Sequence, residues 1–115
     1  MSFTMLATFV PRAGSEDKLL GELTVMVEPS LAEPGCLEYR PLTDPARPGV
    51  VVMVEHWRDQ EALDEHLATA HFMRVAPLLA ELLAEPIEIV ELVPRDPDQP
   101  PAHVAPEALR SLAST

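Results

Sequence analysis

The sequence predicts an α+β domain in which a four-stranded antiparallel sheet carries helices on one face. Two observations support this class. Apolar residues alternate in some segments, as in strands, and recur every three or four residues in others, as in helices. Along the chain these segments follow the order strand, helix, strand, strand, helix, strand. Proline- and glycine-rich turns separate these segments. A chain of 115 residues most simply forms one domain with a modest core.

The first strand and the first helix occupy the start of the chain. FTMLATFV (residues 3–10) mixes β-branched and aromatic residues and ends at a proline turn, as a strand does. Ser15 stands at an N-cap position, and apolar residues then recur at helical spacing. This helix should reach about residue 31, with a kink at Pro29, and Pro34 and Gly35 should end it.

A hairpin follows the first helix. CLEYRPL (residues 36–42) alternates in character, which places Leu37 and Tyr39 on one face of a second strand. VVVMVEHW (residues 50–57) has the strongest strand character in the chain. The segment between them is rich in Pro, Asp and Gly, so the two strands are predicted to pair as a hairpin.

The last elements are a helical region and a strand. Asp59 can cap a helix whose apolar face consists of Leu63, His66, Leu67 and Ala70. A further helical pattern runs from Phe72 to about residue 83, with a bend expected at Pro77. PIEIVELV (residues 86–93) alternates and forms the last strand.

This order of elements is the split βαβ, or ferredoxin-like, arrangement. Its sheet is covered by helices on one side only, so we expect a second copy to cover the other side and predict a homodimer. We assign residues 1–93 to this domain. Residues 94–115 are proline-rich and form a C-terminal arm or tail, in which residues 105–112 could add a short helix.

Composition excludes several partners and cofactors. A formal net charge of −11 has the wrong sign for phosphate backbones or anionic lipid, so we expect no nucleic acid and no membrane partner. No apolar run approaches a membrane span and no signal-peptide pattern is present, so the expected location is cytoplasmic. The single Cys36 excludes an intramolecular disulfide and a Cys-rich zinc site. No glycine-rich motif supports bound nucleotide, flavin or nicotinamide.

The candidate site lies within VEHWRDQEALDEHLATAHF (residues 54–72). Residues two apart on a strand share a face, so Glu55 and Trp57 point the same way. If Glu55 is buried, it needs a raised pKa or a partner, for which His66, Arg40 and Arg74 are candidates. His66 lies within an apolar helix face and is either a satisfied core histidine or a general base.

The remaining aromatic and histidine residues allow two interpretations. Trp57 and Tyr39 either complete the core or form a flat wall for an aromatic ligand. His71 either begins the next helix or contacts substrate. His66 and His71 are five residues apart, so they diverge by about 140° on a continuous helix. A metal site would require a break near Thr69, and we therefore predict none.

At this point the sequence resembles a known family over roughly residues 3 to 93. E-P-G-C-x-x-Y (residues 33–39) and E-x-W-x(8)-H-x(4)-H-F (residues 55–72) are similar to the antibiotic biosynthesis monooxygenase family, in its quinol monooxygenase-like branch. The resemblance implies a ferredoxin-like dimeric α+β barrel. It also implies oxidation of phenolic or hydroquinone-type aromatic compounds by O₂ without metal, flavin or haem. The haem-degrading branch fits poorly, because this chain has Ala7 and Ala76 where that branch has Asn and His.

The resemblance also assigns roles to residues. Glu55, His66 and His71 match the family's catalytic positions, with His66 or His71 as the base that removes a phenolic proton and Glu55 orienting or polarising a histidine. The substrate ring would be held by Trp57, Tyr39, Leu63 and Phe72.

Two other functions remain open at this stage, since a fold does not fix a reaction. One is an isomerase of a small phosphorylated or carbonyl ligand, which would use the same histidines as proton shuttles. The other is a non-catalytic small-molecule binding dimer, in which the histidines are core residues or caps.

Overall fold

The structure of the protein is a computed structural model that describes residues 1–95. Its elements in chain order are β1 (Phe3–Phe9), α1 (Glu16–Val25), α2 (Val27–Leu31), β2 (Cys36–Thr43), β3 (Val51–Trp57), α3 (Gln60–Leu67), α4 (Ala70–Leu82) and β4 (Glu88–Leu92). The strands form one sheet in the order β2-β3-β1-β4, and every neighbouring pair is antiparallel. The predicted ferredoxin-like α+β fold is therefore confirmed.

The inner face of the sheet forms the core with the helices. Along β1 every second side chain is buried, from Phe3 to Phe9. On β3 the inward residues are those predicted to share a face, including Glu55 and Trp57. Helices α1, α3 and α4 contribute buried side chains to the same core, which is why their apolar residues recur at helical spacing.

The outer face of the sheet is partly apolar. Its strands present Leu6 from β1, Val52 and Val54 from β3, and Val90 and Leu92 from β4. Val90 and Leu92 are 40% and 48% exposed. An apolar sheet face of this kind is typical of a surface that a partner covers.

The first helical segment breaks earlier than expected. Pro29 does not kink it at its own position; instead α1 ends at Val25, and Pro29 lies in the first turn of the separate helix α2. A proline has no N–H for the carbonyl four residues before it and clashes with that carbonyl. The carbonyl concerned belongs to Val25, so the break falls one turn ahead of the proline.

The prediction that Leu37 and Tyr39 lie on one face of β2 is wrong for Leu37. A register irregularity lies between Cys36 and Glu38, opposite Trp57 and His56 of β3. Tyr39 therefore points into the core, whereas Leu37 is 54% exposed. A bulge adds one residue to a strand and so reverses the alternation on one side of it.

The helical region after β3 is divided by two caps. The Asp59 side chain accepts a hydrogen bond from the Ala62 N–H at 2.9 Å, which confirms the predicted start of α3. The Thr69 side chain accepts from the Phe72 N–H at 3.2 Å and starts α4. The chain therefore turns between Leu67 and Ala70, the break that His66 and His71 would need in order to meet.

The predicted C-terminal arm lies almost entirely outside the described residues, which include only Pro94 and Arg95 of it. Across residues 1–95, no helix is long and apolar enough to cross a membrane.

Gly35 permits a close approach between α3 and the turn before β2. The Gly35 carbonyl accepts a hydrogen bond from the Arg58 N–H at 2.8 Å, just ahead of α3. A Cβ atom on Gly35 would lie 2.3 Å from the Ala62 Cβ, too close for two carbon atoms. Glycine is thus needed here for space, and the contact fixes α3 against the segment that carries Glu33.

We expect Gly35→Ala to destabilise the fold by about 1–3 kcal/mol, because one of the two backbone segments must move to admit the methyl group. Gly21→Ala is the matched control: Gly21 lies inside α1, and nothing lies within 4 Å of the position that an added methyl group would take. That control should be stabilising by about 0.5–1 kcal/mol. Urea denaturation measures both, and equal free energies of unfolding for the two variants would contradict the steric argument.

Candidate active site

A cavity lies between the inner face of the sheet and the helices; its empty space, counted together with the open solvent at its mouth, is about 410 Å³. Most of its lining is apolar, including Met5, Leu23 and Ile89. Its polar lining residues are Tyr39, Glu55 and His66. Among the described residues that line it, none is Lys or Arg. The cavity therefore suits an uncharged, largely apolar ligand that presents a polar group to this trio.

His66 is enclosed by aromatic rings. It lies on the buried face of α3 and is 2% exposed. Its ring centroid lies 4.7 Å from that of Trp57, 5.3 Å from Phe72 and 5.5 Å from Tyr39. These contacts hold the imidazole ring in one orientation at the edge of the cavity.

Glu33 joins the two histidines. One of its carboxylate oxygens, Oε2, lies 2.8 Å from Nδ1 of His66 and 2.6 Å from Nε2 of His71. Glu33 comes from the turn between α2 and β2, so three separate parts of the chain meet at this oxygen. The helix break at Thr69 makes the meeting possible, because it lets His71 turn back toward His66.

Burial keeps His66 neutral near pH 7. Loss of solvation lowers its pKa below the ordinary value of 6.5, and this effect outweighs the nearby Glu33 carboxylate, which raises the pKa. A neutral imidazole has one nitrogen with a free lone pair, so His66 can accept a proton at neutral pH.

Burial keeps Glu55 protonated, whereas it keeps His66 deprotonated. It is 5% exposed, and burial raises its pKa to about 8 although the Trp57 indole N–H, which donates to Oε1 at 3.1 Å, opposes the shift. Glu55 is therefore mainly protonated at neutral pH and can donate a hydrogen bond into the cavity. The arginines considered as partners bond elsewhere: Arg40 to Glu38, and Arg74 to Glu22.

Two further groups near the site keep their protons. Burial raises the pKa of Tyr39 well above its ordinary value, and the Glu55 carboxyl raises it further. Burial likewise raises the pKa of the Cys36 thiol to about 12. The Tyr39 hydroxyl is thus a neutral hydrogen-bonding group, and Cys36 is not an activated nucleophile.

The structure brings most of the predicted site residues together. Tyr39, Glu55, His66 and Phe72 line the cavity. Trp57 and Leu63 are fully buried behind this lining, and His71 joins through Glu33 rather than through the cavity wall. His56 lies on the outer face of the sheet, and His103 lies outside the described residues.

Glu33, His66 and His71 are also residue types that bind divalent cations, and their ligand atoms lie within 4.8 Å of one another. Both nitrogen–oxygen distances are those of hydrogen bonds. A carboxylate oxygen has two lone pairs, which two imidazole N–H groups can occupy. We therefore interpret the three side chains as a hydrogen-bonded group.

Glu33 is the residue that the sequence reasoning did not assign. Its signal was present, since it is the first letter of the E-P-G-C-x-x-Y pattern that carries the family resemblance. Spacing alone gave no reason to pair it with residues more than thirty positions further along the chain.

Fold and cavity define a ferredoxin-like α+β protein with a largely apolar cavity, lined in part by a neutral histidine and a protonated carboxyl group. The sequence model of the antibiotic biosynthesis monooxygenase family matches residues 2–77. The chain belongs to this family.

Relatives and solved structures agree with this assignment. The chain is 35% identical over 92 residues to the Mycobacterium tuberculosis protein named "Putative monooxygenase Rv0793", covering 80% of this chain and 90% of the relative. The solved structure of Rv0793 matches with a TM-score of 0.78 at 30% identity, over 86% of this chain and 100% of that one. The crystal structure of PA3566 from Pseudomonas aeruginosa gives 0.78 at 35% identity, over 83% and 95%.

We expect Glu55→Gln to change how stability depends on pH. The pKa of about 8 in the folded protein lies above the ordinary value of 4.5, so folding takes up a proton between these values and Glu55 makes folding less favourable as pH rises. Glutamine does not titrate. The free energy of unfolding of the variant, minus that of the wild type, should therefore increase from about pH 5 to about pH 8 and then level off.

Urea denaturation across this pH range measures the difference, and subtraction of the wild-type curve removes the contributions of the other titrating groups. A difference that is constant with pH would contradict the raised pKa of Glu55.

Proposed function

We propose that the protein is a cofactor-independent monooxygenase that oxidises phenolic or hydroquinone-type aromatic compounds with O₂. The observation that carries the proposal is the neutral, buried His66 at the polar end of an otherwise apolar cavity. A phenol matches this arrangement, because its ring fits the apolar wall and its hydroxyl can meet the base. Family membership supports the same class of reaction.

The proposed reaction starts with proton removal by His66. Loss of the phenolic proton gives an electron-rich anion, and a ring carbon of this anion forms a bond to O₂ and reduces it to a peroxide. Loss of the hydrogen on that carbon then breaks the O–O bond. One oxygen stays as a quinone carbonyl, and the other leaves with both protons as water, so the substrate supplies all the electrons.

The other polar residues assist this sequence. Glu55, protonated at neutral pH, donates a hydrogen bond to the oxygen on which negative charge develops. Tyr39 and Phe72 hold the ring, while Trp57 and Leu63 support the lining from behind. The apolar wall keeps water away from the peroxide, which would otherwise be lost to side reactions.

The cavity lining argues against an isomerase that acts on a phosphorylated ligand. A phosphorylated ligand requires cationic groups, and the described lining residues include no Lys or Arg. The non-catalytic alternative makes no use of the opposite pKa shifts of His66 and Glu55, and it is decided by the activity test below.

The proposal includes a homodimer, formed through the outer face of the sheet. Leu6, Val52, Val90 and Leu92 give this face its apolar character. Placing the same face of a second copy against it would bury these side chains, at about 25 cal/mol per Å² of apolar area removed from water.

We expect sedimentation at micromolar concentration to give twice the chain mass of 12.6 kDa. Val90→Lys should shift the equilibrium toward the monomer, because it places a charge in the apolar outer face. Val25→Lys is the control, since Val25 is 58% exposed on α1. A monomeric wild type, or equal dissociation in both variants, would contradict an interface on this face.

Oxygen uptake tests the activity. We expect purified protein, verified free of metal and flavin, to consume O₂ with hydroquinones or naphthohydroquinones faster than their autoxidation. His66→Ala should reduce the rate by about 10²–10⁴-fold, the usual contribution of a general base.

Glu65→Ala is the matched control, because this exposed residue precedes His66 in α3 and should keep wild-type activity. Circular dichroism checks that both variants fold. Enzyme-independent uptake across the panel would overturn the proposed function, and enzyme-dependent uptake that survives His66→Ala would overturn the role of His66.

A further inference from the structure

We propose that Glu33 is a positioning residue that fixes the tautomer of His66 and stabilises the charge that His66 acquires, with His71 holding Glu33 in place. The inference rests on the proposed function, in which His66 is the base, and adds a role for a residue that does not line the cavity.

The hydrogen bonds determine which nitrogen acts as the base. A carboxylate oxygen only accepts, so Nδ1 of His66, 2.8 Å from Glu33 Oε2, must carry the hydrogen. In the neutral ring, Nε2 then has the free lone pair. Because His66 lines the cavity and Nδ1 is engaged by Glu33, Nε2 is the nitrogen left for the substrate. Without Glu33, either tautomer could form.

The carboxylate also offsets the cost of charging a buried base. The His66 side chain is 3% exposed, so the imidazolium formed on proton transfer gains little from water. A carboxylate in direct contact with that ring supplies the missing stabilisation, as in carboxylate–histidine pairs of hydrolytic enzymes. The side chain of Glu33 is itself only 13% exposed, which limits screening of this interaction.

Glu33 is held at several points. Its N–H donates to the Ser30 carbonyl at 3.0 Å, and its carbonyl accepts from the Cys36 N–H at 3.1 Å. His71, whose side chain is 23% exposed, donates from Nε2 to the same carboxylate oxygen that His66 uses. These contacts fix the orientation of the Glu33 carboxylate, which in turn fixes the orientation of the His66 ring.

Among the titratable groups around His66, Glu33 is the one whose charge and hydrogen bond raise the pKa of His66. Cys36 and Tyr39 from β2 keep their protons, because burial raises the pKa of each. Glu55 from β3 is mainly protonated at neutral pH, since its pKa is raised to about 8. His71 from α4 lowers the pKa of His66, the opposite effect to that of Glu33.

Two variants separate the effect of Glu33 on the pKa of His66 from the effect of His71, because they should change this pKa in opposite directions. Glu33→Gln keeps the shape and removes the charge, so the pKa of His66 should fall further. His71→Ala removes a neighbour that lowers the pKa of His66, so that pKa should rise. Glu28→Gln, an exposed acid on α2, is the matched control and should change neither.

The first measurement is ¹⁵N NMR of the histidine rings over a pH titration, which needs no substrate. We expect His66 of the wild type to carry its hydrogen on Nδ1, and the pKa of His66 to move in opposite directions in Glu33→Gln and His71→Ala. A hydrogen on Nε2, or an unchanged pKa in Glu33→Gln, would overturn the inference.

The second measurement is steady-state oxygen uptake. Glu33→Gln should lower kcat at least about tenfold with KM nearly unchanged, and should move the acid limb of the pH profile to lower pH. Glu33→Asp should recover part of kcat. A uniform loss in all variants, with no movement of the pH profile, would show a merely structural role.

Together, the two measurements distinguish a failure of the positioning role of Glu33 from a failure of the proposed function. Opposite pKa changes without any oxygen uptake in the wild type would leave the positioning of His66 in place and overturn the proposed function. Oxygen uptake that Glu33→Gln leaves unchanged would overturn the positioning role alone. If Glu33→Gln does not fold, two readouts still test the inference: the position of the hydrogen on His66 of the wild type, and the pKa of His66 in His71→Ala, which should rise.

Discussion

The arrangement of the site depends on one oxygen atom. Oε2 of Glu33 accepts from His66 and His71, and so connects the turn before β2 to two helices. The connection requires a break between α3 and α4, supplied by the Thr69 cap, and a close approach of α3 to the turn, permitted by Gly35. The fold thus brings one partly buried carboxylate into contact with two imidazoles.

The apolar enclosure around this group has chemical consequences. Desolvation penalises the charged form of any group, so it lowers the pKa of His66 and raises that of Glu55. One physical cause therefore yields a proton acceptor and a proton donor in the lining of the same cavity at neutral pH. The Trp57 ring contacts both groups: it packs on His66, and its indole N–H donates to Glu55, which partly opposes the upward shift of the Glu55 pKa.

The two faces of the sheet have different roles: the inner face lines the cavity, and the outer face is an apolar surface. Alternation along β3 sends Glu55 and Trp57 to the helices and Val52 and Val54 to the outer surface. The inner face holds the cavity, while the outer face has the apolar character of an association surface. A charge introduced on one face is therefore separated from the other by the thickness of the sheet.

The sequence by itself determined the fold class, the facing of β3 and the cap at Asp59, because alternation and capping are local patterns that survive folding. The helix break at Val25 was also readable, since it follows from the clash of Pro29 with the carbonyl four residues before it. The sequence did not determine the bulge that exposes Leu37 or the role of Glu33. A strand register and a hydrogen bond across thirty-three residues both depend on which segments pack together, and local spacing does not specify that packing.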